Sequence, residues 1–158
     1  MGAEGGQLRL WVHFAARYFV VFVPVSLIWE FAHMPLYTLW QSGTAEQIIL
    51  YGLHCTGGDI LIALSVLIGA ALVFGRSNWP IKHSTLVLGS MLLFGLGYTI
   101  YSEWLNTVVR ESWGYSALMP VLPPLGTGLS PLLQWIVVPL VSYLYAHNHI
   151  KGHGILET

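Results

Sequence analysis

Charge is what this chain has least of. Asp, Glu, Lys and Arg make up 8% of its 158 residues, against roughly 25% in ordinary soluble domains. A water-facing surface cannot be assembled from so few. Neither sign forms a block and the net charge is -1, which leaves no basic face for a phosphate backbone and sets nucleic acid aside as a partner. The single cysteine, Cys55, excludes an intrachain disulfide and says little about redox compartment. Processing signals are missing as well. The first apolar run, residues 10–29, ends without a small-residue cleavage pattern. Position 6 is Gly6, where a myristoylation signal opening on Met1-Gly2 needs Ser or Thr. The N-terminus is expected to be uncleaved and unmodified.

What is present is grease. Hydrophobic residues account for 55% of the chain, gathered into four runs over about 10–34, 46–74, 84–108 and 131–149. Each is near or above the ~20 residues that cross a bilayer as a helix. The predicted fold is therefore all-α: a polytopic integral membrane protein, one transmembrane domain over residues 1–158, built as a four-helix bundle. Pro35 follows the first run, residues 75–80 separate the second from the third, and Pro120 to Pro131 precede the fourth. The longest connection, about 109–130, is apolar for a loop, so it either lies in the interface or dips back toward the bundle. Pro24 and Pro139 predict kinks, and the small residues Gly69, Ala70, Ala71, Gly89, Ser90, Gly95 and Gly97 predict close helix packing.

Lys and Arg set the orientation. With the N-terminus inside, Arg9, Arg17, Arg76, Lys82 and Lys151 fall on the cytoplasmic side and only Arg110 on the other. Both termini are predicted cytoplasmic. Trp11, Trp29, Trp40, Trp79, Trp104 and Trp113 then fall near the two interfaces, as an aromatic belt would.

Five ionisable residues break the apolar runs: Glu30, His33, His54, Asp59 and Glu103. Such groups in spanning segments are a functional-site hypothesis by default. Glu30 lies 21 residues beyond Arg9, Glu103 lies 21 beyond Lys82, and His54 lies 22 before Arg76. At about 1.5 Å per residue all three sit about 30 Å above the inner boundary, near the outer face, with Asp59 somewhat deeper. Glu30 and His33 share a helix face, at the Glu-x-x-His spacing used by di-metal helix bundles. Thr99, Glu103, Asn106 and Thr107 form a polar stripe. His54 and Asp59 are about 140° apart on an ideal helix, so both face inward only if Gly57-Gly58 unwinds; otherwise His54 is the expected member. Gln134 is a candidate from the fourth helix, and Tyr51, Tyr98, Tyr101 and Asn106 are candidate supporting groups.

Imidazole and carboxylate donors suit a divalent transition metal, whether zinc, iron, manganese or copper. The expected ligands are Glu30, His33, His54 and Glu103, with Asp59 as ligand or proton carrier, and Asp59 and Glu103 as catalytic groups. The predicted function is a metal-dependent membrane enzyme, hydrolase or oxidoreductase, acting on a lipid or other apolar substrate among membrane lipids. The alternatives are a proton- or ion-coupled transporter, or a non-catalytic subunit of a homo-oligomer or larger membrane complex in which the polar groups lock the bundle. A haem-binding subunit is the variant suggested by His13 and His33, although these lie about 30 Å apart on one helix. His147, His149 and His153 read as a solvated tail.

Overall fold

The computed structural model describes residues 2–74, 79–80 and 82–152; Arg76, the remainder of 75–78, and His153 lie outside the described residues. Helix α1 spans Gly2–His33, α2 is one turn at Leu39–Ser42, α3 spans Ala45–Phe74, α4 Ser84–Trp104 and α5 Leu129–Gly152. The four long helices match the four apolar runs, and each is long and apolar enough to cross a membrane. Helix α1 begins earlier than expected, because its first turns carry Gly5, Gly6 and Gln7, which give no apolar signal. Pro24 and Pro139 sit inside continuous helices. Helix α3 runs unbroken through Gly57 and Gly58, so the unwinding that would have turned both His54 and Asp59 inward does not occur.

The long helices alternate in direction. Helix α1 packs on α5 and α3, and α4 packs on the same two, leaving α1 and α4 diagonally opposed. Leu10, Phe14, Tyr18, Phe22, Ser26 and Glu30 are buried on α1, and Val87, Met91, Gly95, Thr99 and Glu103 on α4. Both sets recur every fourth residue, the spacing of the i±4 ridges by which helices interlock. Both also change from apolar to polar toward the same end of the bundle. Antiparallel α5 shows the gradient reversed in sequence, from Ile150, Ala146 and Tyr143 to Trp135 and Gln134, and α3 runs from Ala71 and Leu67 to Thr56. One half of the interior is thus an aromatic floor and the other a polar cup.

The floor is built on Phe14, whose ring centroid lies 4.8 Å from Trp79 and 4.9 Å from Tyr143. Trp79 departs from the belt expected of it. It is 1% exposed, packs edge-on against Trp11 and donates its indole N–H to the Tyr143 hydroxyl at 3.1 Å. The small residues also divide. A Cβ on Gly95 would stand 2.4 Å from the Trp135 ring, so this glycine is required for close packing, whereas one on Gly69, Gly89 or Gly97 would meet nothing within 4 Å. Those three face outward and do not bring the helices together.

Beyond α4 the helix widens into a π turn at Leu105–Val109, and the long connection folds back over the polar end. The Thr38 N–H donates to Gly114 O at 2.9 Å and the Ser116 N–H to Leu36 O at 2.9 Å, while Tyr37 and Tyr115 form an antiparallel bridge. A two-residue hairpin follows, β1 (Val121–Leu122) against β2 (Thr127–Gly128). Of the two placements open to this apolar loop, it takes the one over the bundle. Buried Met119 and Thr127 explain the choice: the loop has a core side of its own.

Candidate functional site

At the end of α1, Glu30 and His33 are 5% and 7% exposed. Their helical spacing puts His33 Nε2 3.2 Å from Glu30 Oε2, the only ion pair among the described residues. The other imidazole nitrogen lies 3.0 Å from Ser130 Oγ, which also accepts the Trp29 indole N–H at 3.3 Å. A histidine held at both nitrogens has a set orientation. Across from it, Gln134 of α5 donates from one nitrogen to Glu30 Oε1 at 2.7 Å and to Asp59 Oδ2 at 2.8 Å. An ionised carboxylate only accepts and the amide nitrogen carries two hydrogens, so this side chain can serve one oxygen of each acid. Asp59 is further held by the Ser26 hydroxyl at 2.8 Å and by the Trp135 indole N–H, which reaches its other oxygen at 3.2 Å. Three helices meet in this cluster.

The fourth contributes Glu103, 7% exposed and within electrostatic range of His33 and Glu30. The Tyr115 hydroxyl donates to Glu103 Oε2 and accepts the Gly128 N–H at 2.9 Å, tying the folded-back loop to α4. Burial, followed by the contact with Glu103, pushes the Tyr115 hydroxyl above its ordinary range, so it stays a proton donor at neutral pH. Tyr37, whose ring meets His33 edge-on and is tilted against Tyr115, is likewise raised by burial and then by Glu103. The rest of the polar stripe, on α4 and the π turn after it, bonds to its own backbone: Thr99 to Gly95 O, Asn106 to Ser102 O and Thr107 to Glu103 O. Hydroxyls and amides satisfied in this way are not directed at a ligand.

Glu30, His33, Asp59, Glu103 and Gln134 lie in the wall of a cavity of about 280 Å³ among the four long helices. The sequence-predicted residues are therefore brought to one space, with a change of emphasis on α3. Asp59, not His54, is bonded into the cluster; His54 is exposed and lines the rim. The unbroken helix is the reason, since it separates the two in azimuth. Of the supporting tyrosines, Tyr98 and Tyr101 are about half exposed, and Tyr51 reaches Ser112 O at 3.5 Å.

The expected metal centre is not assembled as placed. Among the described residues no group of three His, Cys, Asp or Glu side chains stands in a metal-holding arrangement. Glu30 and Asp59 turn toward Gln134, Glu103 toward Tyr115, and His54 stays at the rim. Sequence reasoning missed Ser26, Trp135, Ser130 and Tyr115. Ser26 had a signal, a polar residue one turn before Glu30 within an apolar run; Tyr115 had none, because its place depends on the path of the loop. No family model matches this chain, and no curated protein or solved structure matches it.

Proposed function

We propose that this chain is an integral membrane protein with four spans, cytoplasmic termini and its polar cup toward the outer side, and that it is an enzyme performing acid–base chemistry on a lipid or other apolar substrate. The membrane reading is supported by the outward surface. Only 22 to 50% of each apolar helix window is buried within the chain, and Leu61, Leu72 and Leu93 are each about two-thirds exposed. Soluble monomers rarely expose large contiguous apolar patches.

The observation that carries the enzymatic reading is the gathering of Glu30 and Asp59 on one Gln134 nitrogen in the wall of a cavity, with His33 hydrogen-bonded to the same Glu30. Buried acids next to an oriented imidazole can remove a proton and return one, and proton removal and return need no further reactant. Glu103 on α4, held by Tyr115 of the folded-back loop, supplies a second acid–base group. The floor argues against transport. Below Asp59 the interior continues through Phe22, Tyr18, Phe14 and Tyr143, whose only polar groups are two tyrosine hydroxyls, with no Asp, Glu, Lys or Arg to carry an ion onward.

The test is incubation of the protein, in bilayer discs made from a total membrane lipid extract and D2O, followed by mass spectrometry of the lipids. Wild type is expected to convert or deuterate at least one lipid-soluble species that Glu30→Gln and Glu103→Gln leave unchanged. If wild type and both variants leave the same lipid profile, the enzymatic reading fails. Metal analysis of the untagged protein separates metal-free acid–base chemistry from the metalloenzyme alternative: near-stoichiometric metal lost in His33→Ala would move the metal to the centre of the mechanism.

A further inference from the structure

We infer that the cavity takes the cationic amine head of an amphiphile whose apolar tail leaves between α3 and α4; this deepens the reading above and rests on it. Charge comes first. Glu30, Asp59 and Glu103 bring three carboxylates to the cavity, and Arg110, exposed at the rim, is the only Lys or Arg lining it among the described residues. Glu30 with His33 is the only ion pair among those residues. Asp59 and Glu103 have hydrogen-bond donors but, among the described residues, no ion pair. Charge withdrawn from water without a counter-charge is costly, and a cation entering the space offsets that cost. The walls say which kind of cation. Tyr37, Tyr98, Trp113 and Trp135 surround the same volume, and aromatic faces beside carboxylates suit an alkylammonium group, whose charge is spread over apolar substituents.

Size and access point to the rest of the molecule. About 280 Å³ is at the small end for a ligand site, enough for a head group and not for a whole amphiphile. The loop tied to Leu36 and Thr38 covers the end of the bundle. The opening is lateral. His54 on α3 and Tyr98 on α4 both line the cavity and are both exposed on the outside of the bundle, which places the gap between these two helices. Gly58, one turn from His54, also lines it, and a Cβ there would meet nothing within 4 Å. Ile62 continues the same wall. A tail can pass Gly58 and Ile62 into surrounding lipid.

The experiment uses the full chain in lipid bilayer discs and a photoreactive N,N-dimethyldodecylamine with a diazirine in its tail. Saturable labelling is expected in peptides carrying residues 51–62 and 98–106. Unlabelled N,N-dimethyldodecylamine is expected to compete at a concentration at least about tenfold lower than 1-dodecanol does, tenfold being about 1.4 kcal/mol. Gly58→Phe, which fills open space at the gap, is expected to cut saturable labelling about tenfold. Gly57→Phe, at an exposed neighbour that does not line the cavity, is expected to leave it unchanged. Equal competition by the alcohol overturns the amine head while leaving an apolar-substrate site standing. Undiminished labelling of Gly58→Phe overturns the lateral entry. Absence of saturable labelling in the wild type overturns this inference together with the reading it rests on.

Discussion

Gln134 is neutral, and it is the residue on which the cup depends. Its amide nitrogen serves Glu30 and Asp59 together, and a leucine of similar size would leave each carboxylate short of a donor. A buried polar group left unsatisfied costs about 1–3 kcal/mol. Gln134→Leu is therefore expected to destabilise the protein by about 2 kcal/mol and to lower its thermal unfolding midpoint in detergent; an unchanged midpoint would remove Gln134 from its bridging role. Two glycines only two residues apart, Gly95 and Gly97, show the same specificity in packing. Gly95→Ala drives a methyl into the Trp135 ring, an overpacking expected to cost about 1–3 kcal/mol. Gly97→Ala points into open space and is expected to be neutral or to stabilise α4 by up to about 1 kcal/mol. Paired thermal melts of the two variants check the difference. At this scale the sequence was legible for charge and much less so for neutral polarity. Glu30, His33, Asp59 and Glu103 are conspicuous in apolar runs, whereas Ser26 and Trp135 look like ordinary tenants of a greasy helix. His54 lines the cavity but is not bonded into the cluster, because a residue about 140° away on the same unbroken helix, Asp59, is the one turned toward Gln134.

Among the elements, the four long helices were visible from composition and length, since apolar runs of this size have few other uses. Their ends were less so. The first turns of α1 lack apolar residues, and the π turn after Trp104 leaves no mark in hydrophobic spacing. The loop over the cup depends on backbone pairing between Leu36–Thr38 and Gly114–Ser116, which is long-range and sequence-independent. That pairing can be locked. A Cβ on Gly114 would lie 3.4 Å from Thr38 Oγ1 and 3.7 Å from Thr38 Cγ2, the two positions a sulfur at 38 could take, so the two side chains would face each other within reach of a disulfide. The double variant Thr38→Cys with Gly114→Cys is expected to form an intramolecular disulfide on mild oxidation, seen as a cross-linked peptide pair by mass spectrometry. Two thiols that stay open to alkylation would show that the loop does not rest on the bundle as described.

For the whole molecule, the proposed orientation rests on six cationic residues. Arg9, Arg17, Lys82 and Lys151 sit at the floor end and Arg110 beside the cup, in line with the helix directions, and Arg76 lies outside the described residues. A reporter fused to the C-terminus is expected to read as cytoplasmic, and Leu118→Cys, 66% exposed on the loop, is expected to react with a membrane-impermeant thiol reagent from outside intact cells. A reporter active on the external side would invert the molecule and put the cup at the cytoplasmic face. Counting residues from the basic anchors puts Glu30, His54 and Glu103 at one level and Asp59 somewhat deeper, because straight helices convert sequence distance into height. What counting could not supply was the rotation of each helix, on which the hydrogen-bond partners depend.

The four-residue recurrence on α1 carries one more consequence. Floor and cup are drawn from a single unbroken series, Phe14 to Glu30, so they are locked in phase. One residue inserted between Phe22 and Ser26 would turn everything beyond it by about 100° and swing Glu30 and His33 off the cavity wall while the floor stayed intact. Seven residues inserted there would bring them back to within about 20° of their facing, but roughly 10 Å higher than their partners on the other helices. The depth of this chemistry and its aim are thus two settings of one ruler, and the chain can change neither on one helix alone.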